Sequence, residues 1–328
     1  MKFGIIGAGR IGKIHAANVA ARRDCQVAFV ADADQNAAAT LAEATGAKIA
    51  SVDDVLASKT VVAIAICSPT DTHADLIERG ARAGKAIFCE KPIALDVPRI
   101  RACLDVVKEA GATLMIGFNR RFDPNFASLQ KRVAEGAIGK LEILSITSRD
   151  PGPPPVSYIA RSGGLFRDMM IHDFDLARFI LGEEPVSVSA MGAALVDKAI
   201  GEAGDIDTAV VIMQTKSGRV AQINNSRRAV YGYDQRVEAH GDKGMVSASN
   251  VTETTVEFAG AHGYARDKAL NFFLERYEAA YRRELDAFIT AVKAGVSPHP
   301  DGEDGLKANI LADAAYQSYV SGQRVTIA

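Results

Sequence analysis

Three groups of residues have types and spacing that could do chemistry. The first is Gly7-Ala8-Gly9-Arg10-Ile11-Gly12, which follows the short apolar run Phe3–Ile6 and opens a helical stretch. A GxGxxG match alone says little, but between a strand and a helix it describes a dinucleotide-binding turn. Gly7 permits the tight turn, Gly9 lets backbone approach a pyrophosphate, and Gly12 allows close helix–strand packing. The helix start adds unpaired N–H groups and positive dipole character for the phosphates. Asp32 ends the next apolar run. Its carboxylate can accept hydrogen bonds from a ribose 2′-OH and would repel a 2′-phosphate, which favours NAD over NADP.

The second group is Cys89-Glu90-Lys91-Pro92, directly after the apolar run Ala86–Cys89. Ligands of open α/β sheets sit beyond the carboxyl ends of the strands, so Glu90 and Lys91 stand at the cofactor edge. The same rule brings in Ser68, Pro69, Thr70 and His73, which follow the run ending at Cys67. His73 could equally cap or pack the next helix. The third group is Asp168-Met169-Met170-Ile171-His172. On one continuous helix Asp168 and His172 would be i,i+4 neighbours. A histidine poised by a carboxylate suits general acid–base work near neutral pH, although a surface ion pair has the same spacing. No further cluster at ligand spacing accompanies them, so no metal site is expected.

These residues need elements to position them. Over the first 118 residues, apolar β-branched runs at Phe3–Ile6, Val27–Ala31, Val61–Cys67, Ala86–Cys89 and Thr113–Gly117 alternate with helical stretches at Ala33–Thr45, Asp71–Ala83 and Val97–Ala110. Near-continuous apolar strands separated by helices predict an α/β, doubly wound parallel sheet over residues 1–118. From residue 119 to 328 the pattern changes. A helix at Pro124–Glu135, a strand at Leu141–Arg149 and a proline-rich loop lead to the Asp168–His172 helix, which Gly182 closes. Strands follow at Val186–Ala193, Thr208–Thr215, Val220–Arg227, Gln235–His240 and Gly244–Ala248, with few helices between them, so this second sheet should be mostly antiparallel. Helices at Leu270–Ala294 and Gly305–Ser321 complete the chain. One face of the second sheet can be covered by these helices. The other would leave apolar area exposed in a monomer, which predicts a homo-oligomer of closed symmetry, with a tetramer expected.

Composition narrows the function further. With 38 Lys and Arg against 40 Asp and Glu, the formal charge is -2, and nothing global favours nucleic acid or an anionic membrane. The longest apolar stretch, Val61 to Cys67, falls far short of the ~20 residues of a membrane helix. The first residues lack the layout of a signal peptide, and Cys25, Cys67, Cys89 and Cys103 form no CxxC pair. Reduced thiols in a cytoplasmic protein are expected.

Taken together, GAGRIG, SPTDTH, CEKP, GFNRRFDP and GGLFRDMMIHDFDLARFILG resemble the glucose–fructose oxidoreductase / inositol dehydrogenase / rhizopine-catabolism family along the full chain. The resemblance implies a Rossmann domain followed by an α/β domain whose open-faced sheet builds a homotetramer. It implies that Lys91, Asp168 and His172 face the nicotinamide, that Lys91–Pro92 is a cis peptide, and that Asn119, Arg120, Asp150 and Tyr233 contact polyol hydroxyls. The reaction it implies is NAD-dependent oxidation of a ring alcohol, with myo-inositol the expected substrate and its 2-ketone the product. In that scheme His172 takes the hydroxyl proton, Asp168 orients the imidazole, and Lys91 donates a hydrogen bond to the same oxygen. scyllo-Inositol or an aldose is the alternative substrate. A cofactor-bound regulator without turnover is the alternative class, but a regulator has no need of Lys91, Asp168 and His172 together.

Overall fold

The computed structural model describes Met1–Ile327. Its N-terminal part alternates strand and helix: β1 (Lys2–Ile6), α1 (Arg10–Ala20), β2 (Gln26–Ala31), α2 (Gln35–Thr45), β3 (Lys48–Ile49), α3 (Val52–Ala57), β4 (Ala63–Ile66), α4 (His73–Arg82), β5 (Ala86–Glu90), α5 (Val97–Glu109) and β6 (Leu114–Gly117). The strands pair in parallel in the order β3-β2-β1-β4-β5-β6. Every residue of β4 and β6 is buried, as expected for a sheet covered on both faces. The strand order reverses between β1 and β4, where an open α/β sheet leaves a crevice at its carboxyl edge. Gly7 follows β1 and Cys67 follows β4, so the turn lies at that switch point.

This compact unit comprises Met1–Asn119 together with Ala280–Asn309. The second stretch belongs to helices that the sequence reading placed wholly in the C-terminal domain. Phe288 makes edge contacts with Phe3 at 6.3 Å and with Phe88 at 5.9 Å. All three rings are fully buried. At about 1.5–3 kcal/mol per buried large apolar side chain, such contacts outweigh chain connectivity in deciding where a helix docks.

The second unit comprises Arg120–Ala279 and Ile310–Ala328, of which Ala328 lies outside the described residues. It contains α6 (Pro124–Ala134), β7 (Leu141–Arg149), α7 (Val156–Ser162), α8 (Gly164–Asp168), α9 (Ile171–Leu181), β8 (Pro185–Ala193), α10 (Lys198–Glu202), β9 (Thr208–Thr215), β10 (Val220–Ser226), β11 (Asp234–Gly241) and β12 (Gly244–Ala248). A hairpin of β13 (Glu257–Gly260) and β14 (Gly263–Arg266), then α11 (Phe273–Arg276), precede α12 (Glu278–Ala294), α13 (Gly302–Ser321) and β15 (Val325–Thr326). The large sheet runs β12-β11-β7-β10-β9-β8-β15. It is mixed: β7 and β10 pair in parallel, and its other pairs are antiparallel. Along β9, Ala209, Val211 and Met213 are buried while Val210 and Ile212 are exposed, the two-residue alternation of a sheet with one covered face.

Two expected helices are broken. Asp168 ends α8, and α9 begins at Ile171 after a turn at Met169–Met170, so Asp168 and His172 are not one turn apart on one helix. The expected Leu270–Ala294 helix divides at Tyr277, and the exposed β13–β14 hairpin was not anticipated.

Candidate functional site

In the first unit the cofactor candidates converge on the carboxyl edge of the sheet. Gly7 has φ +102°, and a Cβ there would stand 2.5 Å from the Cys67 carbonyl carbon and 2.6 Å from the Ser68 nitrogen. A Cβ on Gly12 would meet the Gly7 oxygen at 1.9 Å. The turn therefore closes only with glycine at both positions. Gly9 is different: a Cβ there would meet nothing within 4 Å. Gly9 also caps α1, and having no side chain it makes no side-chain cap to the helix start. An open turn and an uncapped helix start fit the phosphates of a dinucleotide. Asp32 follows β2 directly. Its carboxylate accepts from the Ala8 nitrogen at 2.5 Å and the Asp34 nitrogen at 2.7 Å, which pins the Gly7–Gly12 turn to the strand end where a ribose would be read.

Ser68, Pro69, Thr70 and His73 form the next rim of the same edge. The Ser68 and Thr72 hydroxyls are 2.6 Å apart, and Thr70 starts a single 3₁₀ turn. His73 is buried. Its Nδ1 lies 2.7 Å from the Pro92 oxygen and its Nε2 2.8 Å from the Ser68 oxygen. Both nitrogens face carbonyl oxygens, which raise its pKa, but burial lowers it by more. The neutral ring has one N–H and donates to one of the two loops at a time, the loop after β4 or the loop after β5. The Lys91–Pro92 peptide in the second of these loops is cis. Glu90 closes β5, and its Oε1 lies 2.8 Å from Nε2 of the fully buried His15. Asn119, the last residue of the unit's first stretch, is buried, and its amide oxygen has no partner among the described residues.

The second unit gathers a charged cluster. Asp168 is held from two sides: the Tyr158 hydroxyl donates to Oδ1 at 3.0 Å, and Arg227 donates from Nη2 to Oδ2 at 3.3 Å. Burial pushes the Asp150 carboxyl up to about 6; Arg227 and Arg120 oppose that shift, while Asp168 and Asp173 add to it. The aromatic ring of Tyr233 stands edge-on to Tyr277 at 5.9 Å, and burial keeps its phenol neutral well above the usual range. His172 is the second residue of α9 and half-buried.

Arg120 sits deeper than a surface contact would. It pairs with buried Asp173 and donates to Ser148 Oγ at 3.1 Å. Asn225 donates to Asp173 at 3.0 Å, and the Ser148 hydroxyl, Gln235 and the Tyr277 hydroxyl continue the chain of hydrogen bonds. Burial lifts the Asp173 carboxyl despite Arg120 and Asn225 beside it. This network joins the strand ends of β7, β10 and β11, with Asn225 Oδ1 left without a partner among the described residues. Sequence reasoning missed Tyr158, Asp173, Arg227 and Tyr277. Position next to His172 and at the end of β10 were signals for Asp173 and Arg227, whereas the other two carried none.

Comparison with known proteins bears on both units. A family model described as the oxidoreductase family, NAD-binding Rossmann fold, matches residues 1–118, and the GFO/IDH/MocA C-terminal domain matches 126–247. The chain is 55% identical over 328 residues to an inositol 2-dehydrogenase of Rhizobium meliloti, covering 100% of this chain and 99% of that protein. A myo-inositol dehydrogenase structure from Corynebacterium glutamicum superimposes with a TM-score of 0.96 at 45% identity, covering 100% of this chain and 99% of that one. A scyllo-inositol dehydrogenase from Lactobacillus casei, with bound NAD(H) and scyllo-inositol, gives 0.92 at 30% identity over 99% and 98%.

Proposed function

From the premise that the chain belongs to the GFO/IDH/MocA oxidoreductase family, we propose that it is an NAD-dependent dehydrogenase that oxidises myo-inositol at a ring carbon to the 2-ketone. The observation that carries this reading is the paired-off chemistry of the two units: a glycine turn with an open Gly9 and a carboxylate at Asp32, and a second unit that presents a clamped Asp168 close in sequence to His172. NAD, held along Gly7–Gly12 and Asp32, supplies hydride acceptance. His172 takes the hydroxyl proton, since imidazole needs little pKa adjustment for that work near neutral pH. Asp168 stabilises the imidazolium that results. Lys91 donates a hydrogen bond to the reacting oxygen and favours its alkoxide-like character. Asp150, Tyr233 and Asn119 bind the other ring hydroxyls, and Arg120 holds the cluster in place through Asp173.

The protein works as a homotetramer in a reducing cytoplasm. Support for assembly comes from the outer face of the second sheet, where Met191 is 81% exposed and sits across from exposed Val210, with Ile212, Ile143 and Met245 exposed on the same sheet. Support for the compartment comes from four free cysteines, two of them buried. No helix among the described residues is long and apolar enough to cross a membrane.

The test is NADH formation followed by absorbance with myo-inositol, scyllo-inositol and a set of aldoses offered singly. The proposal expects the highest kcat/KM with myo-inositol and a loss of about 10²–10⁴-fold in His172→Ala with NAD affinity retained. A clear preference for scyllo-inositol or an aldose would reject the substrate, and full activity of His172→Ala would reject the base.

A further inference from the structure

The first unit buries a titratable cluster that the proposed chemistry does not use. His15 on α1, Glu90 at the end of β5 and Glu284 on α12 place one ligating atom each within 4.8 Å of one another. His15 and Glu284 are 0% exposed, and the Glu90 side chain is 13% exposed. His15 Nε2 lies 2.8 Å from Glu90 Oε1 and 3.9 Å from Glu284 Oε1. Neither oxygen of Glu284 has a hydrogen-bond partner among the described residues, and neither does His15 Nδ1. An isolated ionised carboxylate in such a place is strongly disfavoured, and the ordinary resolution is to carry a proton. Burial and the neighbouring Glu90 raise the Glu284 pKa well above the usual carboxylate range.

The surroundings add little to compensate a charge. The Phe88 ring stands 4.7 Å and the Tyr281 ring 5.8 Å from the imidazole. Cys67, beyond β4, stays a neutral thiol because burial, Glu90 and Glu284 all raise its pKa. Lys91 follows Glu90 in the chain, and His73 on α4 is favoured in its neutral form by burial. Room for the Glu90 carboxyl is made by Gly117, where a Cβ would lie 3.1 Å from it. One imidazole therefore serves two carboxyl groups, and Glu284, the one without a hydrogen-bond partner among the described residues, is the one that burial favours in its protonated form.

We propose that His15, Glu90 and Glu284 form one proton-holding site that takes up a proton from solvent when the bound dinucleotide passes from its oxidised to its reduced form. The inference rests on the NAD reading above. Glu90 closes β5 immediately before Lys91, which the NAD reading sets at the nicotinamide, so the positive ring of the oxidised form favours the ionised cluster. When that charge is neutralised by hydride, protonation becomes cheaper, and the cluster's proton occupancy rises. Linkage then makes the protein's preference between the two cofactor forms depend on pH.

Calorimetric titration of the full chain with NAD⁺ and with NADH, in buffers of different ionisation enthalpy and at several pH values, tests this. NADH should bind with more proton uptake than NAD⁺. The ratio of their Kd values should drift with pH by at most about tenfold per unit, the limit for one linked proton. Glu284→Gln copies the neutral carboxyl, so it should fold, bind both forms and lose the difference. His15→Gln should lose it independently. An infrared difference spectrum between the NADH and NAD⁺ complexes should show a protonated-carboxyl band that Glu284→Gln removes. Equal proton uptake for the two forms, or a difference unchanged in both variants, overturns the proposal while leaving the NAD site intact. Failure to bind either cofactor overturns the NAD reading and this inference with it.

Discussion

Arg227, whose side chain is 2% exposed, donates to the Asp168 carboxylate at 3.3 Å. It also opposes the rise of the Asp150 carboxyl, so one buried guanidinium acts on two acids of the same cluster. Arg227 follows β10, and Asp168 ends α8, a link that ties the helix end to the sheet.

Arg227→Met should therefore lower kcat without moving NAD affinity. A hydrogen bond to a charged group is worth about 1.5–3 kcal/mol, or roughly 10–150-fold in rate. Arg227→Lys should recover part of the loss, because the charge returns without the planar fork. Steady-state kinetics beside direct NAD binding would reveal it, and a loss confined to KM for NAD would contradict it.

Asp150 gives two pH effects of opposite sign. Its carboxyl sits at about 6 rather than at the model-peptide value of 3.8, with burial as the leading cause. If the ionised form accepts the polyol hydroxyls, KM for inositol should fall as pH rises through about 6, and Asp150→Asn should flatten that limb. Stability runs the other way. The unfolded chain loses this proton near its lower pKa, so the native state becomes less stable as pH climbs through the folded value, by about 1–3 kcal/mol. Denaturant melts of Asp150→Asn at pH 4 and 7.5 should show relative stabilisation only at the higher pH.

The proposed cofactor discriminator is Asp32. Wild type should prefer NAD strongly over NADP, and Asp32→Ala should narrow the gap mainly by weakening NAD, by about tenfold or more. Because Asp32 also accepts from the Ala8 and Asp34 nitrogens, the variant should lose affinity for both cofactors to some degree. Equal efficiency with NAD and NADP in wild type would remove the basis of this assignment.

A double variant, Met191→Lys with Ile212→Lys, places charges on the exposed face of the second sheet. Light scattering should find the wild type as a tetramer and the variant as smaller species with its fold retained by circular dichroism. A wild type that stays monomeric at every concentration would refute the assembly.

What the sequence by itself determined were the features governed by short-range rules. The GAGRIG turn, the alternation of apolar runs with helical stretches, and the carboxyl-end position of Glu90 and Lys91 follow from backbone sterics and burial within a βαβ unit, and the strand order of the first sheet realises them. What only the tertiary structure decided were features set by long-range packing. No local signal could say that Phe288 would dock on Phe3 and Phe88, carrying Glu284 to His15. Helical spacing joins Asp168 to His172 in one turn, yet the helix breaks at Met169–Met170, and Tyr158 and Arg227 from remote segments donate to Asp168. The resemblance implies Arg120 as a polyol contact; that it is buried against Asp173 only the tertiary structure decided, because a guanidinium withdrawn from water must find its counter-charge inside.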